Sequence, residues 1–245
     1  MPDLRDELYA RYLTAFKGDP RAVVDVPRFF SWCDGKVKPL LNDLPRSANL
    51  LELGCGPGYL LGYLKHLSFD AVDGIDLSAE QVAIARELGH RAVVANVFEY
   101  LDGRTAAYDA ILAFDFIEHF RQDELRRLTE GIARALKPGG RLILQTPNGQ
   151  GLFAGGIIYG DLTHGTIFTP GSLQQLLALS GFERFDLREA GPVARDLRGF
   201  LRAIAWRTLR LGLNLANKIA NGRTYAVWTD NMLCSCRTAE GAGTP

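Results

Sequence analysis

Cysteine is scarce in this chain of 245 residues, and long apolar runs are missing. The four cysteines are few and scattered, which excludes a disulfide scaffold and a zinc site built from cysteines, and a reducing, cytoplasmic setting is expected. The first residues are acidic where a secretory signal starts basic, so we expect no export. No segment approaches the roughly 18 apolar residues that a membrane-spanning helix requires.

Excess charge of either sign is also absent. Lys plus Arg and Asp plus Glu both number 28, so the overall charge does not indicate a surface built for nucleic acid, and no nucleic-acid partner is expected. With 47% hydrophobic residues, the composition is typical of one compact domain with a small appendage, and it excludes collagen-like and wholly disordered chains.

Short apolar strands alternate with amphipathic helices from residue 47 onward. This alternation predicts an α/β fold with a doubly wound, mostly parallel sheet covered on both faces. The predicted strands are 50–53, 71–76, 91–95, 110–114, 141–145, 182–189 and 229–238, and helices are expected to begin near residues 58, 78, 97, 122 and 170.

Other segments flank or interrupt this pattern. Residues 1–46 carry apolar positions at helical spacing, among them Leu4, Leu8 and Tyr12, and predict two or three helices that cover the fold. The glycine-rich loop 148–165 has a length that usually serves a site. Residues 239–245 are expected to be a disordered end.

A glycine loop follows the first predicted strand. Gly54, Gly56 and Gly58 stand where a buried strand turns into a helix, so the backbone can approach a ligand closely and leave its amides free to bind it. Asp76 follows at the end of the second strand, where its carboxylate can accept both hydroxyls of a ribose. A dinucleotide fingerprint would need glycine in place of Tyr59, which argues against an NAD oxidoreductase.

These motifs, with three others, resemble class I S-adenosylmethionine-dependent methyltransferases. The others are Asn96 after the third strand, the segment 114–119 after the fourth, and the Leu-Lys-Pro-Gly-Gly-Arg turn 136–141 before the fifth. The matches follow the family's order over about residues 45–190. The resemblance implies a Rossmann-like seven-stranded sheet with an antiparallel last strand, a methyltransferase domain over 47–238 and S-adenosylmethionine as the methyl donor.

The resemblance also implies which residues hold the donor. Gly54, Gly56 and Gly58 would lie against its methionine half, and Asp76 would bind the ribose. Glu52 would orient the glycine loop. The remaining residues implied to frame the donor are Cys55, Leu77, Asn96, Val97 and Phe114. Asn96 stands where the family more often has Asp, and its side-chain oxygen can still accept a hydrogen bond.

Candidate groups for the acceptor side lie beyond the fourth and fifth strands. Asp115, Glu118 and His119 are spaced i, i+3 and i+4, so on a helical turn they would share one face, and His164 comes from the long loop. In the ubiquinone-biosynthesis O-methyltransferases that this pattern resembles, such residues hold a divalent metal. Two roles stay open beside a structural one: these four residues bind Mg²⁺ or another divalent cation, or His119 and His164 act as metal-free bases.

The function predicted from this reading is methyl transfer to a hydroxyl of a small molecule or a sugar or glycan precursor. One alternative is a quinone or natural-product O- or N-methyltransferase that works without metal. Another is an inactive module that binds S-adenosylmethionine and serves a partner, in which case apolar side chains would plug the acceptor pocket.

A basic segment near the C-terminus lies outside these motifs. Residues 197–229 contain no acid but six cations, and we predict a helical insertion over about 197–224. Its interleaved apolar and arginine residues fit three arrangements: residues 198–223 lie on a membrane surface, cover the sheet, or contact a second copy of the chain. The oligomeric state stays undetermined.

Overall fold

A computed structural model of the protein describes Leu8 and residues 24–240. The helix expected around Leu4 and Tyr12 and the end of the chain, 241–245, lie outside the described residues. The helices are α1 Val26–Lys36, α2 Tyr59–His66, α3 Ala79–Glu87, α4 Val97–Leu101, α5 Gln122–Ala135, α6 Gly155–Ile158, α7 Pro170–Leu179 and α8 Leu197–Asn221. The strands are β1 Asn49–Leu53, β2 Ala71–Asp76, β3 Arg91–Val94, β4 Tyr108–Phe114, β5 Leu136–Pro147, β6 Phe182–Glu189 and β7 Asn231–Thr238.

The strands form one seven-stranded sheet in the order β3-β2-β1-β4-β5-β7-β6. The pairs among β1 to β5 are parallel, while β7 runs antiparallel to both β5 and β6. The predicted Rossmann-like sheet with an antiparallel last strand is therefore confirmed. In a sheet of this kind, ligands bind at the carboxyl ends of the parallel strands.

The central strands are apolar on both faces because helices cover both faces of the sheet. Leu50 and Leu51 are neighbours in β1, and both are fully buried although they point to opposite sides. Leu51 belongs to the core cluster beneath α4, α5 and α7, and Leu50 belongs to the cluster beneath α1, α2 and α3. This double burial explains why the strands appear in the sequence as short continuous apolar runs rather than as alternating ones.

Helix starts coincide with residues that can cap them. Ser78 accepts a hydrogen bond from the backbone N–H of Gln81 at the start of α3, and Thr169 caps α7 in the same way through Ser172. Caps of this kind stabilise a helix by about 1 kcal/mol. Both helices thus begin where the sequence predicts.

Several strand boundaries differ from the predicted ones. β1 and β4 begin at Asn49 and Tyr108, one and two residues early, and β5 ends at Pro147, two residues late. β3 ends at Val94, one residue early, and β7 begins at Asn231, two residues late. β5 begins at Leu136 rather than at residue 141, because the predicted turn 136–141 joins the strand through an irregularity. Gly139 permits this irregularity with a φ of 71°, a left-handed conformation that costs glycine little.

Candidate functional site

A cavity of about 670 Å³ opens at the carboxyl ends of β1, β2 and β4. Its walls come from the glycine loop, the residues that follow each of these strands, and the start of α5. Most of the residues expected to hold the donor line it: Glu52, Gly54, Cys55, Gly56, Asp76, Leu77, Asn96, Val97 and Phe114. Gly58 stands just outside, at the start of α2.

The glycine loop has a backbone that side chains would disfavour. Gly54, Gly56 and Gly58 have φ values of 70°, 52° and 88°, all in the left-handed region. Asp76 ties this loop to the end of β2: one carboxylate oxygen accepts from the Gly56 N–H at 2.9 Å and the other from the Ser78 N–H at 2.8 Å. A carboxylate can accept several hydrogen bonds at once, so Asp76 can also accept from ribose hydroxyls.

Two other donor-side residues have structural tasks as well. Glu52 is almost fully buried, and burial, with Asp76 nearby, raises the pKa of its carboxyl well above the usual range. Glu52 lines the cavity, and its buried Oε2 has no hydrogen-bond partner in the described part of the chain. Asn96 begins α4, where its Oδ1 accepts from the Phe98 N–H at 2.9 Å. One lone pair of that oxygen is thus used to cap the N-terminus of α4.

Gly54→Ala is expected to weaken the binding of S-adenosylhomocysteine, the product of the expected donor, by about tenfold or more. The added Cβ would stand 2.6 Å from Cδ2 of Phe116, which lines the cavity and would have to move. Isothermal titration calorimetry measures the affinity.

Gly103→Ala is the matched control for this substitution. Gly103 has a φ of 72°, against 70° at Gly54, but nothing lies within 4 Å of its added Cβ. Both variants should lose about 1 kcal/mol or more of stability through backbone strain. Equal affinities of the two variants for S-adenosylhomocysteine would show that the close approach at Gly54 has no role in binding.

Asp115 does not share a helical face with Glu118 and His119, and this expectation is wrong. The helical turn covers only Ile117–His119, and Asp115 precedes it with a φ of 48°. Its carboxylate accepts from Nε2 of Gln145, 3.1 Å from each oxygen, and it lines the donor cavity. Backbone strain of this kind is common where a fold positions functional groups.

His119 also lines the cavity, and the long loop holds its ring. Nδ1 lies 2.9 Å from the Thr163 hydroxyl, which in turn lies 2.6 Å from Oδ1 of Asp161. Because the carboxylate can only accept, the hydroxyl donates to Asp161 and accepts from Nδ1–H. Backbone hydrogen bonds to Thr163 and Asp115 also reach this ring and favour its protonated form. Burial, with His164 next to it, lowers the pKa of His119 to about 4, so the imidazole is neutral at neutral pH.

Glu118 and His164 gather behind His119 rather than along the cavity. One ligand atom from each of Glu118, His119 and His164 lies within 4.8 Å of the others, and Asp115 is outside this group. Nδ1 of His164 is 3.1 Å from the Ile158 carbonyl, so that nitrogen donates. Burial, with Asp115 nearby, raises the pKa of Glu118 to about 8, while its Oε2 accepts from Thr146 at 3.0 Å.

The backbone brings these distant segments together. The Glu118 carbonyl accepts from the N–H groups of Gly165 and Thr166 at 2.8 and 3.0 Å, so the long loop is pinned against the turn that carries His119. Close packing also fixes Gly165, where an added Cβ would stand 2.9 Å from the Phe120 carbonyl oxygen. This pairing joins residues about 45 positions apart, which no local pattern indicates.

Several lining residues had escaped the sequence reasoning. Val24 and Phe29 reach the cavity from the N-terminal segment, and Gln145 reaches it from β5. Asp161 and Thr163 lie in the glycine-rich loop 148–165, next to His164. The Asp-x-Thr spacing was a usable signal, because Asp161 also accepts from the Thr163 N–H at 2.9 Å in a local turn.

Comparison with known proteins identifies relatives. A family model described as a methyltransferase domain matches residues 28–185. Ubiquinone biosynthesis O-methyltransferase of Xanthomonas oryzae pv. oryzae is 33% identical over 107 residues, 41% of this chain and 44% of that protein. The match thus spans less than half the length of this relative.

Two further proteins resemble longer parts of the chain. O-methyltransferase cnsE of Penicillium expansum is 25% identical over 185 residues, 70% of this chain and 64% of that protein. The crystal structure of a SAM-dependent methyltransferase from Archaeoglobus fulgidus superposes with a TM-score of 0.66 at 16% identity, covering 95% of this chain and 99% of that one. At this identity, the structural match supports the fold alone.

Proposed function

The chain belongs to the class I S-adenosylmethionine-dependent methyltransferases, and from that premise we propose that it transfers the methyl group to a hydroxyl of a small molecule, with His119 as the base. The observation that carries this proposal is the hydrogen-bonded series Asp161, Thr163, His119 at the wall of the donor cavity. It supplies a neutral imidazole in a fixed tautomer beside the expected methyl donor.

The residues of the cavity fit S-adenosylmethionine. The left-handed glycines leave space for its methionine half, and Asp76 would bind the ribose. The orphaned Oε2 of Glu52 would accept a hydrogen bond from a bound amino group, as an addition to its expected role in orienting the loop. Val24 and Phe29 in the wall support the proposal that the segment 1–46 covers the donor. When bound, the donor supplies a methyl group already activated by the positive sulfonium.

The chain's own task is then to orient the acceptor and remove one proton. As the hydroxyl oxygen forms its bond to the methyl carbon, the carbon–sulfur bond breaks and its electron pair stays on sulfur. The hydroxyl proton would pass to the imidazole of His119, which the Thr163 hydroxyl holds through Nδ1. Asp161, held through Thr163, would favour the imidazolium that forms.

The cavity wall favours a ring-bearing acceptor. Phe116 and Phe120 pack edge to face with centroids 5.0 Å apart, and Phe98 packs against Phe120 in the same way. All three line the cavity. A weakly basic imidazole is also better matched to an acidic phenol than to a sugar alcohol. A phenolic or quinol acceptor is therefore our first candidate and a sugar or glycan precursor the second.

A divalent cation is the alternative to the metal-free base. Glu118, His119 and His164 would hold it, since their ligand atoms lie within 4.8 Å of one another. Oε1 of Glu118 is buried and has no hydrogen-bond partner among the described residues, which favours this alternative. Such a cation would act as a Lewis acid that lowers the pKa of the acceptor hydroxyl.

Calorimetric titration with S-adenosylhomocysteine, followed by transfer of labelled methyl groups to catechols and to nucleotide sugars, tests this proposal. We expect micromolar binding, no heat with NAD, and transfer to a catechol that persists in EDTA. If methyl transfer is lost in EDTA and recovers with Mg²⁺, the cation mechanism is correct and the metal-free base is not. Absence of S-adenosylhomocysteine binding would refute the donor site, and labelling of amines alone would refute the hydroxyl acceptor.

A further inference from the structure

Helix α8 presents its apolar residues to solvent. None of its 25 residues is buried. Leu197, Leu211, Leu215 and Ile219 are exposed by 73, 71, 62 and 78%, and Phe200, Leu201 and Ile204 by about half. With about 3.6 residues per turn, these positions form one continuous stripe along the helix. We call these seven residues the apolar stripe.

The opposite face of α8 is polar and fixes the rotation of the helix on the domain. The indole N–H of Trp206 donates to Oε2 of Glu189 at 2.9 Å, and Arg210 donates to the same oxygen at 3.2 Å. Asn214 accepts from the Tyr225 N–H and from the indole N–H of Trp228. Turning the apolar stripe inward would break all of these hydrogen bonds, so it stays outward.

Cations flank the apolar stripe on both sides. Arg198 and Arg202 lie along one flank, and Arg207 and Lys218 lie along the other. No carboxylate occurs on α8 or in the eight residues that follow it. Long cationic side chains beside an apolar surface can keep their charges at the level of lipid headgroups while their stems contact the acyl region.

We propose that α8 binds to the surface of anionic lipid membranes, with the apolar stripe in the acyl boundary and the flanking cations on the headgroups. The helix is about 37 Å long, and in this proposal it lies along the membrane surface. None of the helices that the structure describes is both long and apolar enough to cross a membrane. An apolar face, a basic border and the absence of acid are the features that anionic bilayers select.

The charge distribution of α8 argues against a second copy of the chain and against nucleic acid as the partner of this face. Two copies of α8 packed stripe to stripe would bring the cations of both helices together with no carboxylate between them. Nucleic acid would need the cations at the centre of the contact, where the apolar stripe lies instead. Both occupants remain outcomes that the experiment can detect.

A second group of exposed apolar side chains lies in the long loop that follows β5. Phe153, Tyr159 and Leu162 in the long loop are exposed by 70, 83 and 76%. This loop is tied to α8 through Trp228, whose carbonyl accepts from the Leu152 N–H and whose indole donates to Asn214. Both segments follow strands at the sheet edge that carries the cavity.

Co-sedimentation of the full chain with phosphatidylcholine vesicles, with and without phosphatidylglycerol, tests the proposal. We expect binding to the anionic vesicles that weakens as salt is added. Leu201→Ser with Leu215→Ser should lower the partition coefficient by about tenfold or more. Leu88→Ser with Leu179→Ser, which removes two exposed leucines at the C-terminal ends of α3 and α7, is the matched control and should bind as the unmodified chain does.

Each contrary outcome overturns the proposal. Failure of anionic vesicles to retain the unmodified chain at any salt concentration would overturn it. An equal loss of binding by the control pair and the stripe pair would overturn it too. Sedimentation velocity that shows a dimer dissociated by the stripe variant would assign the face to a second copy. Binding of an RNA duplex that competes with the vesicles, and that the stripe variant retains, would assign it to nucleic acid.

A label separates membrane contact from a loss of folding. The four native cysteines are buried, so Leu211→Cys can be labelled selectively with an environment-sensitive fluorophore. Its emission should shift to the blue when anionic vesicles are added. The emission of the same label at Ala83→Cys, an exposed position on α3, should not shift. Equal emission shifts at both positions would refute membrane contact through α8. This measurement does not depend on methyl transfer, so it can fail or succeed separately from the proposed function.

Discussion

Asp76→Ala is expected to weaken the binding of S-adenosylhomocysteine by about 100-fold. The carboxylate accepts from the Gly56 and Ser78 N–H groups and, in the proposed complex, from the ribose hydroxyls. Hydrogen bonds to a charged group contribute about 1.5 to 3 kcal/mol each, so the loss of the ribose contact alone gives a large effect. Release of the glycine loop adds to it. Calorimetric titration measures the change directly.

Asp73→Ala is the control for Asp76→Ala. Asp73 belongs to the same strand but is half a strand away, where it pairs with Arg91 at the surface. An exposed pair of this kind contributes little, so neither affinity nor stability should change much. If Asp76→Ala bound S-adenosylhomocysteine as the unmodified chain does, or if both variants lost affinity equally, Asp76 would have no place in the donor site.

His119→Ala is expected to lower the turnover of a phenolic acceptor by about 100-fold or more, the range of a lost general base. The affinity for S-adenosylhomocysteine should stay within about twofold, because no donor contact is assigned to His119. His66→Ala, which removes an exposed imidazole from the end of α2, should leave turnover unchanged. Steady-state kinetics with labelled donor provide the comparison.

Thr163→Val separates the orientation of the ring from its chemistry. Valine keeps the volume of threonine but cannot accept from Nδ1–H of His119, so the ring loses its link to Asp161. We expect an intermediate loss of turnover, as for a positioning residue. A Thr163→Val enzyme with full activity would mean that the hydrogen-bonded series does not prepare the base.

His164→Ala distinguishes the base from the cation. His164 packs against His119 with ring centroids 5.1 Å apart, yet it is not among the residues that line the cavity. A metal-free base predicts a smaller loss for His164→Ala than for His119→Ala. A cation held by both rings predicts similar losses, together with sensitivity to EDTA.

The donor side was predictable because its chemistry is local in the sequence. The three loop glycines are two residues apart, and each has the left-handed φ that glycine tolerates best. Asp76 ends a strand that is parallel to β1, and parallel neighbours bring their carboxyl ends to one edge whatever the remaining contacts are. The alternation of apolar runs and helices predicts a mostly parallel sheet, whereas the antiparallel last strand was implied by the family resemblance.

The acceptor side was only partly predictable. The spacing of Asp115, Glu118 and His119 indicated a shared helical face, but the left-handed backbone at Asp115 removes that residue from the helical turn. His164 packs against His119 without lining the cavity, and the neighbouring Thr163 holds Nδ1 of His119. Residue spacing predicts a shared helical face only where a helix forms. Here the helical turn covers three residues only, Ile117–His119, and Asp115 lies before it.

The amino-acid sequence by itself determined the sheet, the glycine loop and the acid that follows β2, because these depend on local backbone preference and on strand order. Tertiary structure alone decided which side chains of the long loop meet His119, and which face of α8 is turned to solvent. Loop contacts join segments about 45 residues apart, and polar partners from β6 and the 225–228 segment set the rotation of α8. Helical periodicity shows which residues form the apolar stripe, but it does not show whether the stripe faces the core or the solvent.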